Sequence, residues 1–359
     1  MLHEKILYDI LNKINNGEYK NGDKLPTEIE LVKKYGVSRT CVIKALSQLK
    51  EMGFAISNKK GGTVINLVSD TSKKYNVPVI LPYCSNIGTQ GGLYYNSHLL
   101  SGIQHFALNN NINCPYYNYS GSNVIKRNIL EHLLKERPDG ILIYPKTFIE
   151  FSDIYSKIEL LKIPVCFIDR KFMASRSPVI ATDNYSGMKT IVKHLINEGH
   201  KYIGFYGFYK NSTNPTTIMD RFRGYYDAHT ESGLTVYPHL IFYHESVGFA
   251  APDYLFDCFF NNNDKNATAV ACISDGLAYT LQQLLARHNI RVPEDVSVAG
   301  FDNIINEGVL PYKLTTIEQD FYKIGYTAAK TILKMINGQP VKDVSVPGKF
   351  VPGTSDRKI

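Results

Sequence analysis

The 359-residue sequence predicts an α/β protein in two parts, a small N-terminal α+β domain followed by a large, doubly wound α/β domain. The chain is longer than a single compact core usually allows. From Val77 onward, short continuous apolar runs alternate with amphipathic helical segments, which is typical of parallel strands buried on both faces. Residues 1–68 instead show three helical patterns and a hairpin, so we expect two domains.

The composition is that of a folded protein, with 44% apolar and 20% charged residues. The longest apolar runs, such as residues 77–81, have the length of strands, so we expect no membrane segment. Charges at Glu4, Lys5 and Asp9 do not fit a secretory signal, which predicts a cytoplasmic protein. The six cysteines are scattered without CxxC pairs or zinc spacing, so we expect no metal and no cofactor.

The first two helices are predicted by spacing and by their end signals. Apolar residues recur every four positions from Leu2 to Ile14, and Gly17 ends that pattern. The second helix follows Pro26, where Thr27 and Glu30 have the spacing of a capping box. Gly36 stands where a left-handed C-cap belongs, so this helix ends there.

A third helix begins almost at once, capped by Ser38, and it has one apolar and one polar face. The apolar stripe comprises Val42, Ala45, Leu46, Leu49 and Met52, and the opposite face carries Arg39, Thr40, Ile43, Lys44 and Ser47. Two helices joined by such a short glycine-containing turn form a helix-turn-helix unit. The polar face is therefore predicted to be a recognition helix for the major groove of double-stranded DNA.

A hairpin follows the third helix and predicts a wing. Residues 54–56 and 63–65 are strand-like, and the turn between them holds Lys59, Lys60, Gly61 and Gly62. Residues 1–68 contain eleven Lys and Arg against seven Asp and Glu, so they carry +4 of the chain's net charge of +7. A basic balance suits phosphate contact, although a merely solvated face or a small protein-binding module would have the same charge.

The segments LPTEIELVKKYGVSRTCVIKALSQLKEMGF and KKGGTVI resemble the GntR family of winged helix-turn-helix repressors over residues 1–68. The resemblance implies operator DNA as a partner. It departs from the usual pattern at Ile29 and Ile43, where the family commonly has arginines, and at Cys41, which replaces a threonine. We therefore expect an unusual operator, with lysines taking over part of the phosphate contact. The expected DNA-binding residues are Thr27, Ser38, Arg39, Thr40, Lys44, Lys59, Lys60, Gly61 and Gly62.

Residues 69–76 are polar and aperiodic, which predicts the interdomain linker, and residues 77–359 form the second domain. Parallel sheets place ligand sites at the carboxyl ends of their strands. Polar residues follow five of the predicted strands here, although a strand-terminal polar residue also serves as a helix N-cap. These positions are Ser85, Asp169-Arg170, Asp183, Ser274-Asp275 and Asp302-Asn303.

A second resemblance covers about residues 77–359, carried by RPDGILI, IPVCFIDR, TDNYSGMKTIVKHLINEGHKYIGFYG, RFRGY, NIRVPEDVSVAGFDN and LTTIEQD. These blocks are similar to the LacI/GalR family, which implies a two-lobed, periplasmic-binding-protein-like fold, a small sugar effector and a homodimer. Carboxylates, a bidentate arginine and flat aromatic rings suit sugar hydroxyls and ring faces. The expected effector-binding residues are Tyr94, Tyr95, Asp169, Arg221, Ser274, Asp302, Gln319 and Phe321.

The two resemblances together predict a DNA-binding transcriptional repressor of carbohydrate-utilisation genes that a small sugar releases from its operator. A GntR-type head on a LacI-type domain resembles a group of arabinose-responsive repressors in bacilli, which favours L-arabinose or a related sugar. A ligand-dependent activator, or a regulator that needs its ligand as co-repressor, is the alternative, and a sugar-binding protein without a DNA role is a distant one. We expect no enzyme, because no nucleophile with its base, metal set or cofactor fingerprint is present in the sequence.

Overall fold

The computed structural model describes residues 2–51, 54–57, 62–66, 74–82, 91–119, 128, 131–145, 152–170, 175–208, 216–244, 251–261, 265–305 and 308–359. The chain divides into two compact units, Met1–Lys73 and Lys74–Ile359. This division falls inside the predicted linker. No helix within the described residues has both the length and the apolarity needed to cross a bilayer.

The first unit is built from three helices and a hairpin: α1 (Leu2–Asn15), α2 (Glu28–Tyr35), α3 (Arg39–Glu51), β1 (Ala55–Ser57) and β2 (Thr63–Ile65). Strands β1 and β2 are antiparallel, with Ala55 opposite Ile65. The three helices and the hairpin share one apolar core, in which the most buried side chains include Ile6, Ile10, Leu31, Val42, Leu49 and Ile65.

The capping box at the start of α2 is confirmed. The Thr27 amide donates to the Glu30 carboxylate at 2.7 Å, and the Glu30 amide donates to the Thr27 hydroxyl at 3.3 Å. At the other end, Gly36 has the left-handed conformation that was predicted, with φ 62°. These two signals fix the length of α2 and hence the start of α3.

The second unit contains two sheets of parallel strands, each in its own lobe. The first lobe has six strands, in the spatial order β6 (Tyr116–Tyr119), β4 (Val79–Pro82), β7 (Ile141–Ile143), β8 (Val165–Ile168), β9 (Val179–Thr182) and β15 (Val344–Val346). The helices of this lobe are α4 (Gly91–Leu108), α5 (Ser152–Leu160) and α10 (Phe321–Ile336). Strands β7 and β8 are fully buried, as expected for strands covered on both faces.

A short parallel pair, β3 (Tyr75–Asn76) and β5 (Ile112–Asn113), corrects the predicted end of the linker. The linker was expected to run to residue 76, but Tyr75 and Asn76 belong to the second unit. Their side chains are polar, so no apolar pattern marks this strand in the sequence. Its stability comes from main-chain pairing with a segment far along the chain.

The second lobe has four parallel strands, in the order β11 (Ile241–His244), β10 (Ile203–Phe208), β12 (Ala269–Cys272) and β13 (Ser297–Ala299). Its helices are α6 (Asn184–Asn197), α7 (Thr216–Glu231), α8 (Asp253–Phe260) and α9 (Asp275–Arg287), with a 3₁₀ turn at Pro238–Leu240. Helix α6 begins at Asn184, because Asp183 caps it by accepting from the Ser186 amide at 3.0 Å.

The chain passes between the lobes at three crossovers: from β9 to α6, from β14 (Thr316–Glu318) to α10, and from β15 to β16 (Lys349–Val351). Strands β14 and β16 pair antiparallel, and the Asp183 amide donates to the Val346 carbonyl at 2.8 Å. The three crossovers are therefore bonded to one another and form the hinge region of the unit.

Helices α4 and α10 cross in direct contact at two glycines. A methyl group at Gly102 would overlap the carbonyl oxygen of Tyr322, and one at Gly325 would overlap that of Leu99. This close crossing brings the N-terminal turns of both helices together, so that the rings of Tyr95 and Phe321 lie 4.5 Å apart at their centroids.

Candidate functional site

The polar face predicted for α3 is exposed in the first unit. Arg39, Thr40, Ile43, Lys44 and Ser47 are all exposed, whereas Val42, Ala45, Leu46 and Leu49 are buried. The Nε atom of Arg39 lies 2.9 Å from a Glu28 oxygen. The Arg39 side chain is 73% exposed, so this ion pair is weak and leaves the guanidinium available to a stronger anion.

Two of the predicted DNA contacts also have a structural role. The Thr27 hydroxyl belongs to the capping box, and the Ser38 hydroxyl accepts from the Cys41 amide at 3.4 Å. Both residues are exposed, so their main-chain and side-chain groups remain accessible at the helix N-termini. Helix N-termini favour phosphate groups.

Only part of the predicted wing falls within the described residues. Gly62 is exposed and has φ 118°, a conformation that strongly favours glycine. Lys59, Lys60 and Gly61 lie outside the described residues.

In the second unit, a cavity of about 190 Å³ lies between the two lobes, at the carboxyl ends of their strands. This volume is below the range typical of drug-sized ligands and suits a small molecule. We call it the cleft. Its lining residues are Tyr95, Tyr144, Asp169, Arg170, Phe208, Thr217, Ile218, Arg221, Ile273, Ser274, Asp302, Ile304, Gln319 and Phe321.

The structure brings together seven of the eight residues that the sequence predicted for effector binding. Each lobe supplies some of them: Tyr95, Asp169 and Phe321 from the first, and Arg221, Ser274 and Asp302 from the second. Gln319 lies in the crossover between β14 and α10. The side chain of the eighth, Tyr94, lies outside the described residues.

The second lobe contributes a network centred on Arg221. Its Nε donates to the Asn184 side chain at 2.7 Å, one terminal nitrogen donates to the Ile273 carbonyl, and the same nitrogen lies 3.4 Å from Asp302. The guanidinium also lies 3.7 Å from the centroid of the Phe301 ring. Arg221 is therefore held in the wall of the cleft.

Asp302 is bonded from two sides, by Arg221 and by the Gln319 amide, which donates to Oδ1 at 2.6 Å. Burial raises the pKa of Asp302 above its usual range; Arg221 and the Gln319 hydrogen bond oppose this, and the nearby Asp275 adds to it. Asp302 also has φ 122°, which a non-glycine residue rarely adopts. Strain and burial of this kind are typical of functional sites.

The first lobe contributes a second charged group, which sequence reasoning identified only in part. Arg170 donates through Nε to Asp169 at 2.9 Å, and its terminal nitrogen lies 2.9 Å from the same oxygen. Its guanidinium lies 4.8 Å from the centroid of Tyr144. Asp169 was predicted, but Arg170 and Tyr144 were not assigned to the site. The available signal was their position directly after β8 and β7, at the same sheet edge.

Aromatic rings form the wall of the cleft beside this pair. Tyr95 meets Phe321 and Tyr144 edge to face, with ring centroids 4.5 and 5.8 Å apart. Phe321 is buried in the core of the first lobe and also lines the cleft. Rings in this position offer an apolar surface to the face of a small ligand.

Other polar residues at the strand ends serve the fold. Ser274 lines the cleft, but its hydroxyl caps α9 by accepting from the Leu277 amide at 3.3 Å. Asp275 is buried, accepting from the Thr316 hydroxyl at 2.7 Å and from the Ile304 amide at 2.9 Å. Ser85 lies outside the described residues. Helix capping, the alternative that the sequence left open, therefore applies to Asp183 and Ser274.

Comparison with protein families decides what the two units are. The model of the gntR family of bacterial regulatory proteins matches residues 2–65, and the model of the periplasmic binding protein-like domain matches residues 192–355. The chain joins a GntR-type helix-turn-helix domain to a LacI-type, periplasmic-binding-protein-like domain. The resemblances found in the sequence are confirmed.

Two curated relatives match along almost the whole chain, and a third matches part of it. An arabinose metabolism transcriptional repressor of Halalkalibacterium halodurans is 28% identical over 351 residues, covering 95% of this chain and 90% of that protein. A repressor of the same name from Geobacillus stearothermophilus is 24% identical over 343 residues, covering 94% and 91%. The regulator GalR of Escherichia coli is 27% identical over 223 residues, covering 61% and 62%.

Solved structures share the fold of the LacI-type domain. The transcription regulator CcpA of Lactococcus lactis has a TM-score of 0.68 at 19% identity, covering 79% of this chain and all of that one. A LacI family regulator of Enterococcus faecium with bound ribose has a TM-score of 0.62 at 23% identity, covering 79% and 99%. The predicted fold, a winged helix-turn-helix followed by a two-lobed periplasmic-binding-protein-like domain, is confirmed.

Proposed function

We propose that this protein is a sequence-specific transcriptional repressor of carbohydrate-utilisation genes, released from its operator by a small sugar. The observation that carries this proposal is the presence, in one chain, of an exposed polar face on α3 and a small, ion-paired cleft between two lobes. The names of the full-length relatives, arabinose metabolism repressors, support L-arabinose or a related sugar as effector. We propose that the protein acts in the cytoplasm. We also propose that the cleft binds its ligand without catalysing a reaction.

DNA is proposed to meet the N-terminal end of α3 and the wing. Arg39 and Lys44 are exposed cations on one face of a helix, and Thr40 and Ser47 offer hydroxyls between them. This arrangement suits phosphates and base edges in the major groove. Thr27 and Ser38 are proposed to bind phosphate at the helix N-termini, and the wing residues Lys59, Lys60, Gly61 and Gly62 to follow the backbone.

The charges of the cleft support an uncharged ligand. Arg170 is paired with Asp169, and Arg221 with Asp302, so two cations meet two carboxylates. A sugar phosphate would have to displace one of these carboxylates, at a cost in desolvation and repulsion. A neutral sugar can instead accept from the guanidinium groups and donate to the carboxylates, while its ring face packs on Tyr95 or Phe321.

The hinge provides a route from sugar binding to DNA release. Gln319 bonds to Asp302 in the second lobe and accepts from the Thr182 hydroxyl at another crossover. A sugar that contacts both lobes favours their closed arrangement, because only that arrangement makes both sets of contacts. In a homodimer formed through the LacI-type domains, closure would change how the two recognition helices are presented to two half-sites. A coupling of about 1–3 kcal/mol suffices for a five- to 150-fold effect.

Fluorescence anisotropy of the full-length protein on labelled DNA from its own upstream region tests the proposal. The titration uses L-arabinose, other pentoses, hexoses and their phosphates at fixed salt. We expect a neutral sugar to release sequence-specific binding. Tightening of DNA binding by the sugar would favour the alternative co-repressor mechanism, and absence of specific DNA binding would favour a sugar-binding protein without a DNA role.

A further inference from the structure

The recognition helix carries one aliphatic residue on its exposed face. The side chains that form the apolar stripe of α3 within the described residues, Val42, Ala45, Leu46 and Leu49, are at most 4% exposed. Ile43, in contrast, is 46% exposed. It does not contribute to the core of the first unit, so packing does not account for an isoleucine at this position.

Ile43 lies in the middle of the polar face. Arg39 and Thr40 precede it by four and three positions, Ser47 follows it by four, and Lys44 is adjacent. Residues three and four apart are neighbours on the surface of a helix. Any DNA base that meets Thr40 and Ser47 in the major groove therefore lies within reach of Ile43.

The 5-methyl of thymine is the one methyl group that bases present in the major groove, and the other groups that distinguish the bases there are hydrogen-bond donors and acceptors. Isoleucine has no polar atom with which to satisfy those groups. Against guanine it would remove water from O6 and N7 without replacing the hydrogen bonds, which costs binding energy. Against thymine it would bury its own methyl groups together with that of the base.

We infer that Ile43 reads a thymine methyl in each half-site of the operator, and this inference rests on the proposed function. An arginine at this position would select guanine through hydrogen bonds, whereas the isoleucine selects thymine through an apolar contact.

A second exposed isoleucine provides a matched comparison. Ile29 is 77% exposed near the start of α2, and its neighbour Glu28 lies 2.9 Å from Arg39 at the start of α3. In a helix-turn-helix the first helix crosses the backbone, and only the second enters the groove. Ile29 should therefore contact sugar and phosphate, if it contacts DNA, and should not discriminate bases.

The experiment uses a double-stranded oligonucleotide selected from a random-sequence pool by the full-length protein. Each thymine of the selected sequence is replaced in turn by deoxyuridine, which lacks only the 5-methyl group. The Kd is measured by anisotropy for the wild type, Ile43→Ala, Ile43→Val and Ile29→Ala. Thermal unfolding of each variant checks that the fold is kept, which the half-exposed position of residue 43 favours.

We expect deoxyuridine at one position of a half-site to weaken wild-type binding about fourfold, the effect of one buried methyl group. Substitution in both half-sites should weaken binding about sixteenfold, because the losses of binding free energy at two distant sites are additive. The Kd of Ile43→Ala should not change when the methyl group is missing. Ile43→Val and Ile29→Ala should still show most of the loss of affinity that deoxyuridine causes in the wild type.

Two results would overturn the inference. Wild-type binding that is unaffected by deoxyuridine at every position would show that no thymine methyl is read. A loss of equal size in wild type and Ile43→Ala would assign the methyl to another residue. In both cases the selection itself still yields an enriched sequence, whereas a pool without enrichment would refute the proposed function together with this inference.

Discussion

The side-chain amide of Gln319 donates to Oδ1 of Asp302 across 2.6 Å, which bonds a hinge crossover to the wall of the cleft. The same oxygen lies 3.4 Å from Arg221, and the Gln319 oxygen accepts from Thr182 at a second crossover. A ligand that changes the bonding of Asp302 therefore also changes the bonding of the hinge. Buried polar networks of this kind are sensitive to the loss of any member.

Asp302→Asn should weaken sugar binding without affecting DNA binding in the absence of sugar. At pH 8, above the raised pKa of Asp302, the substitution keeps the size of the side chain but replaces a charged acceptor, and hydrogen bonds to charged groups correspond to about a 10- to 100-fold change in affinity. Isothermal titration calorimetry with the sugar that releases DNA measures the effect. Asp320→Asn, a helix cap on the exposed side of the hinge, is the matched control. Unchanged affinity in Asp302→Asn would remove this residue from the site.

The stability of Asp302→Asn relative to wild type should depend on pH. Because the pKa of Asp302 is raised by burial, the folded protein keeps this proton to a higher pH than the unfolded chain. The wild type therefore loses stability as the pH rises from about 4 through the raised pKa, and the asparagine variant lacks this contribution. Thermal unfolding midpoints at pH 5 and pH 8 should show a larger advantage for the variant at pH 8. A difference that shrinks with pH would contradict a raised pKa.

Thr182→Val should weaken sugar binding about two- to tenfold, the effect of one ordinary hydrogen bond, because it frees the Gln319 side chain. Thr182 does not line the cleft, so the loss would act through the position of Gln319. Thr190→Val removes a hydroxyl that bonds only to its own helix, at the Ser186 carbonyl, and serves as control. Calorimetry of both variants checks the prediction, and equal affinities would show that the crossover bond does not matter for the cleft.

Lys44→Ala should weaken binding to all DNA sequences to a similar degree and should reduce the slope of log K against log salt by about one. A lysine that contacts phosphate adds affinity without reading bases. Anisotropy at several salt concentrations, on specific and unrelated DNA, measures both effects. Lys330→Ala removes another exposed charge, from α10, and should leave the slope unchanged. A loss confined to the specific DNA would instead give Lys44 a role in base reading.

Local signals in the sequence predicted local structure well. The capping box of Thr27 and Glu30 and the left-handed Gly36 depend on neighbours within a few residues, and all are present in α2. Asp183 was predicted as either a site residue or a helix cap, and it caps the start of α6. Strand β3 was missed since its partner, Ile112–Asn113, lies far along the chain.

The residues of the site were predicted from strand ends and from the LacI/GalR resemblance, but the hydrogen bonds and ion pairs among them could not be predicted. Arg221 and Asp302 are 81 residues apart, and their contact depends on how two strands and a helix pack. Arg170 and Tyr144 were not assigned because an arginine next to an aspartate, or a tyrosine after a strand, has no distinctive spacing. The role of Ser274 as a cap also depends on geometry, since its type and position suit a ligand contact equally well.

The central claim is that sugar and operator DNA bind the same protein with opposite preferences, and reciprocal linkage tests it most directly. The sugar Kd is measured for the free protein and for the protein saturated with operator, and the operator Kd is measured with and without saturating sugar. The proposed mechanism predicts that operator weakens sugar binding by the same factor, between about five and 150, by which sugar weakens operator binding. A sugar Kd that is equal with and without operator would contradict it.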